Sequence, residues 1–122
     1  MRKDIAKITS TSLGWEDHGI LTAYLTVDYG GSGQGIGGYI LDTPILDHKD
    51  KFICRVGTAY GMEFVARIMK ACGVSKWEDV KGRTIYVLQD LDEGQLGWGT
   101  NSVIGIENLP TEKGERFLFA EL

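Results

Sequence analysis

Ile20-Leu-Thr-Ala-Tyr-Leu-Thr-Val-Asp-Tyr29, continued by Gly30-Gly-Ser-Gly-Gln-Gly-Ile-Gly-Gly-Tyr39, decides how the fold is read. In the first half, Leu21, Ala23, Leu25, Val27 and Tyr29 alternate with Thr22, Tyr24, Thr26 and Asp28. Successive side chains of a strand point to opposite faces, so this period of two predicts a strand with one buried side. The second half places six of the chain's 17 glycines in the positions from Gly30 to Gly38. Glycine in a strand or turn costs roughly 0.5–1 kcal/mol of backbone entropy relative to alanine, so six together need a cause. Either the chain turns through dihedrals that only glycine tolerates, or another group comes close to bare backbone. The strand pattern resumes from Ile36 to Leu41, which predicts a hairpin with the loop Gly30 to Gln34. Two roles stay open for that loop: a flexible connection, or a cradle of N–H groups for an anion such as phosphate.

Outward from this hairpin, Ile5 to Leu13 is also strand-like. It would pair with its successor through the polar turn Trp15-Glu-Asp-His-Gly19, giving a three-stranded antiparallel start. Residues 42–52 read as a charged loop. Tyr60 to Cys72 predicts the main helix, because Phe64, Val65, Ile68 and Cys72 share one stripe while Glu63 and Arg67 pair on the wet face. Gly73 then stands where a helix C′ residue belongs. Ser75-Lys-Trp-Glu78 has the form of a capping box and predicts a short second helix, ended by Gly82. Thr84 to Gln89, Ser102 to Asn108 and Phe117 to Leu122 read as strands. Without regular βαβ alternation, the class is α+β: an antiparallel β-sheet packed against one main α-helix plus a short second helix. Residues 1–122 would form a single ligand-binding domain.

A net charge of −4 over 122 residues argues against sequence-independent nucleic-acid binding, which needs a concentrated basic face. No run approaches the ~18 apolar residues of a membrane span, and the first residues lack the apolar stretch of a signal peptide. The expected location is therefore the cytoplasm, with no membrane partner. Cys54 and Cys72 read as reduced, buried thiols.

Gly33-Gln-Gly35-Ile-Gly-Gly38 formally matches the dinucleotide fingerprint G-x-G-x-x-G, but the glycines run into Tyr-Ile-Leu and no helix follows to receive a pyrophosphate. No Lys-Ser or Lys-Thr follows either, so a Walker loop fails as well. What remains is backbone donors at Gly31, Gly33 and Gly35 beside the Ser32 hydroxyl and the Gln34 amide. A second glycine-rich stretch, Gly94 to Asn101, offers Trp98 as a stacking platform for a base and Asn101 as a reader of its edge. The alternative is that Trp98 caps the sheet. Arg55, at the entrance to the main helix with Tyr60, suits a phosphate or carboxylate near helix N–H groups; an ordinary salt bridge fits equally. His18 and His48 lack the spacing of a metal site, and no nucleophile elbow is present. No metal, cofactor or catalytic residue is expected.

The strings Thr11-Ser-Leu-Gly-Trp-Glu-Asp-His-Gly19, Tyr29 to Tyr39, Gly57-Thr-Ala-Tyr-Gly-Met-Glu63 and Trp77-Glu-Asp79 together resemble small proteins of phages and prophages. The likeness covers roughly residues 8 to 82 and is strongest to the Thoeris anti-defence 1 family. It implies a sponge that binds and hides a cyclic ADP-ribose-type immune signal, or a cyclic oligonucleotide, without cleaving it. It further implies a homo-oligomer, dimer or hexamer, in the cytoplasm of an infected bacterium. It carries no ligand residue onto this chain. The bound signal would sit on Gly31, Ser32, Gly33, Gln34 and Gly35, with Arg55 as the cation, Tyr60 or Trp98 on the base, and Asn101 at its edge. The alternative is a protein–protein inhibitor of a host defence complex, such as an anti-CRISPR, anchored by Trp15, Trp77 and Trp98.

Overall fold

The computed structural model describes residues 2–16, 19–90, 102–110 and 114–122. The alternating stretch is strand β2 (Ile20–Asp28), flanked by β1 (Arg2–Glu16) and β3 (Gly33–Ile40) in an antiparallel meander. Ala23, Leu25 and Val27 are buried, as their period requires. After β3 come β4 (Asp42–Leu46), β5 (Phe52–Gly57), helix α1 (Ala59–Cys72), β6 (Thr84–Asp90), β7 (Ser102–Asn108) and β8 (Arg116–Leu118). The main sheet has the order β3-β2-β1-β6-β7-β8, and β4 and β5 form a separate two-stranded sheet. The expected α+β class is the one observed.

Helix α1 packs on β7 and β8, toward one edge of the main sheet. Its stripe of Phe64, Ile68, Ala71 and Cys72 is buried against Ala6, Ile8, Ile85, Val87 and Ile106. Tyr39, Phe117 and Phe119 gather on Phe64, with centroids 5.1–5.5 Å apart. The helix starts at Thr58, whose Oγ1 accepts the Gly61 N–H at 2.9 Å. It ends at left-handed Gly73 (φ 70°), whose N–H reaches Lys70 O; the Val74 N–H reaches Met69 O, the C-terminal bonding expected of glycine there.

Several boundaries differ from those expected. Residues 42–52 belong to the β4–β5 hairpin: Asp47 Oδ1 accepts the N–H groups of Lys49 and Lys51 and closes the turn. The capping box at Ser75 does not form; a single 3-10 turn at Trp77–Asp79 starts at Lys76 without a side-chain cap. The last strand stops at Leu118 and a 3-10 turn, Phe119–Glu121, follows. Trp15 and Glu16 stay in the ladder opposite Leu21 and Ile20 rather than in a turn. Arg67 bonds to Glu121 at 3.3 Å rather than to Glu63, and lies over the Phe117 ring. Cys72 is buried but Cys54 is exposed, because β5 has no covered face. No described helix is long and apolar enough to cross a membrane.

Candidate functional site

Helix α1 leaves one end of its sheet face uncovered, and polar side chains occupy it. Arg2 and Asp4 alternate with the same parity as buried Ala6 and Ile8, so β1 carries its inward face past the end of the core. Gln89, opposite Arg2, does the same for β6 and is only 2% exposed. Tyr29 and Gln34 close the patch from the β2–β3 hairpin.

These side chains form one directional chain. Arg2 Nη2 donates to Gln89 Oε1 at 2.9 Å, Gln89 Nε2 donates to the Tyr29 hydroxyl at 3.3 Å, and that hydroxyl donates to Gln34 Oε1 at 2.6 Å. Hydrogen bonds aligned in series in this way reinforce one another. Arg2 Nε is held by Asp4 Oδ2 at 2.8 Å. Burial pushes the Tyr29 phenol above its ordinary pKa, with the Gln89 bond acting against it; the hydroxyl stays a neutral donor at pH 7. Arg2, Asp4, Tyr29, Ser32, Gly33, Gln34 and Gln89 line a cleft of about 730 Å³.

The expected site residues divide. Ser32, Gly33 and Gln34 stand together on the cleft wall. Gly31 does not offer a free donor: the carboxylate of Asp28 accepts the N–H groups of Gly30 at 2.9 Å and Gly31 at 3.2 Å. Those bonds hold the Asp28 carboxyl below its usual pKa, so an acid already fills the cradle proposed for phosphate. Only Gly30 to Ser32 follow Tyr29 as loop; Gly33 and Gly35 are strand residues of β3. Arg55 is committed elsewhere, its Nε and Nη2 each 2.9 Å from the two Asp42 carboxylate oxygens. This ion pair keeps Asp42 below, and Arg55 above, their ordinary pKa values. Tyr60 packs on Phe64 at 6.2 Å, and neither it nor Arg55 lines the cleft. Trp98 and Asn101 lie outside the described residues.

Arg2, Asp4, Tyr29 and Gln89 were missed by sequence reasoning. Gln89 carried a usable signal: it holds an inward position in the predicted strand Thr84 to Gln89, where Ile85 and Val87 are apolar. A polar group on that face needs a partner. Among the described residues, no cluster of three or more His, Cys, Asp or Glu side chains is arranged to hold a metal ion. No family model, curated protein or solved structure matches this chain.

Proposed function

We propose that this chain is a phage anti-defence protein that binds and sequesters a nucleotide-derived signal of the cyclic ADP-ribose type, holding it intact. The observation that carries this reading is the cleft at the β2–β3 hairpin. Its volume of about 730 Å³ falls in the range of small-molecule sites, roughly 300–1,000 Å³. Its wall combines a guanidinium, the carboxylate paired with it, two carboxamides, a phenol and a hydroxyl from Arg2, Asp4, Gln89, Gln34, Tyr29 and Ser32. A phosphate or ribose would take the Arg2 and Ser32 donors, and the Gln34 amide N–H groups suit an acceptor on the edge of a base, while buried Gln89 holds Arg2 and Tyr29 in place. The cation is Arg2, not Arg55, and Gly31 takes no part.

Titration calorimetry with cyclic ADP-ribose isomers tests this reading. Wild type should bind, and mass spectrometry of the heat-denatured complex should recover the isomer unaltered. Arg2→Ala should weaken binding about 10- to 100-fold, the loss of one charge-assisted hydrogen bond of roughly 1.5–3 kcal/mol. Absence of binding to wild type, equal affinity in Arg2→Ala, or recovery of a cleaved product would each sink the reading.

A further inference from the structure

Arg2 and Asp4 stand two residues apart on β1 and so share one face of the strand. Among the described residues that line the cleft, Arg2 is the one cation and Asp4 the one carboxylate. They spend their charges on each other: Arg2 Nε donates to Asp4 Oδ2 at 2.8 Å, with the two side chains still 48% and 31% exposed. The pair is therefore neutral as a whole and reachable by a ligand. The same opposition is felt at Tyr29. Burial is the chief reason its phenol lies above the ordinary pKa, and of the two charges acting on it Asp4 raises it while Arg2 lowers it.

The hydrogen-bonding capacity left over is mixed as well. A guanidinium carries five N–H donors, and Arg2 gives Nε–H to Asp4 and one Nη2–H to Gln89, which leaves others for a ligand. Among the described residues, Asp4 Oδ1 accepts no hydrogen bond, and a carboxylate can only accept. A phosphate could use the Arg2 donors, but it would meet Asp4 with like charge. It would also leave the Oδ1 acceptor desolvated and unpaired, which costs free energy. A hydroxyl both donates and accepts. Two hydroxyls on adjacent carbons answer both partners at once: one O–H donates to Asp4 Oδ1, and the neighbouring oxygen accepts from Arg2.

We propose that the Arg2–Asp4 pair is a subsite for a vicinal diol, the ribose of the ligand, and excludes its phosphates. The assignment rests on the nucleotide-binding reading of the cleft and decides which group of the ligand Arg2 meets. Dinucleotide sites make the same distinction on a different scaffold: an acid takes the free ribose 2′-OH, and an arginine takes the 2′-phosphate. In this chain the acid and the arginine are joined, so the acid sets the outcome. Asp4 is then a specificity-determining residue, and its removal should turn a sugar subsite into an anion subsite.

Titration calorimetry on the full chain tests this with a cyclic ADP-ribose isomer, its monodeoxy-ribose analogues and inorganic pyrophosphate. For wild type, removing one ribose hydroxyl should weaken binding about 10- to 100-fold, the loss of a hydrogen bond to a charged group. Asp4→Asn keeps the side chain's shape and removes its charge. It should bind the isomer and that deoxy analogue with nearly equal affinity, and pyrophosphate should displace the isomer from it at lower concentration than from wild type. Asp4→Glu should retain the preference for the hydroxyl. Deoxy analogues that all bind wild type as tightly as the parent would overturn the subsite, as would an Asp4→Asn variant with wild-type discrimination or unchanged displacement by pyrophosphate. Each of those results leaves sequestration of the isomer standing. A wild type that binds no isomer removes both readings, so the two failures are told apart.

Discussion

At the scale of single residues, the glycine run is explained by neighbours rather than by a ligand. A Cβ at Gly35 would strike the Tyr24 ring, which lies diagonally across β3. A Cβ at Gly37 would strike the Ala23 carbonyl, on a backbone whose φ of 138° L-residues rarely adopt. These two collisions differ in kind. The Tyr24 hydroxyl is the free end of a rotatable side chain, 43% exposed, and can swing away; the Ala23 carbonyl is ladder backbone and cannot. Gly35→Ala should therefore cost less than about 1 kcal/mol and shift the tyrosine near-UV signal. Gly37→Ala should cost about 2–3 kcal/mol, from left-handed strain and steric overlap together. Urea unfolding of the two variants checks the order, and equal costs would remove the distinction. This is also where the sequence misleads: six glycines look like a phosphate loop because spacing shows neither Asp28 turning back onto Gly30 and Gly31 nor Tyr24 crossing Gly35. Arg55 misled for the same reason, its partner Asp42 being supplied by the pairing of β4 with β5.

At the scale of elements, legibility follows periodicity. The helix from Tyr60 to Cys72 and the strand from Ile20 to Tyr29 each bury one stripe, so their sequences repeat at 3.6 and 2 and were read within a residue or so. The β4–β5 hairpin buries neither face, so Pro44, Ile45 and Leu46 alternate with nothing and were read as loop. The cleft was half legible: Ser32, Gly33 and Gln34 follow from the hairpin, whereas Arg2 and Gln89 meet them only through the β1–β6 register. The start of α1 shows how a local signal gains tertiary weight. Thr58 caps the helix through Gly61 and donates its own hydroxyl to Leu41 O at 2.9 Å, tying α1 to the end of β3. Thr58→Ala should lose both bonds and destabilise by about 1–2 kcal/mol, while Thr58→Ser should retain most of that, as both hydroxyls cap. Thermal melts decide: a serine variant as weak as the alanine variant would mean that the methyl group, not the hydroxyl, matters.

For the molecule as a whole, acid is the expected weakness. Three carboxylates join separate parts of the chain: Asp28 holds the β2–β3 turn, Asp42 roots the β4–β5 arm, and Glu107 binds β1 and β8 to β7. Glu107 lies 2.7 Å from Lys3 and 2.8 Å from Arg116, and its pKa is lowered chiefly by the Lys3 bond. Asp28 and Asp42 are lowered by their N–H and Arg55 partners. A carboxylate held below its unfolded value stabilises the fold fully above that value, about 3.9 for Asp and 4.3 for Glu. As pH falls through the lower folded values, protonation removes that contribution. Melting temperature should thus be nearly flat from pH 7 to 5 with respect to these groups and should fall steeply below about pH 4. Asp42→Asn should melt lower than wild type at pH 7, having lost its charge pairing with Arg55, yet decline less on acidification because one of the three titrations is gone. Calorimetric scans of both proteins from pH 7 to 2 measure this. Parallel curves would show that Asp42 is no part of the acid response, and the hairpin root would then owe its hold to the backbone ladder alone.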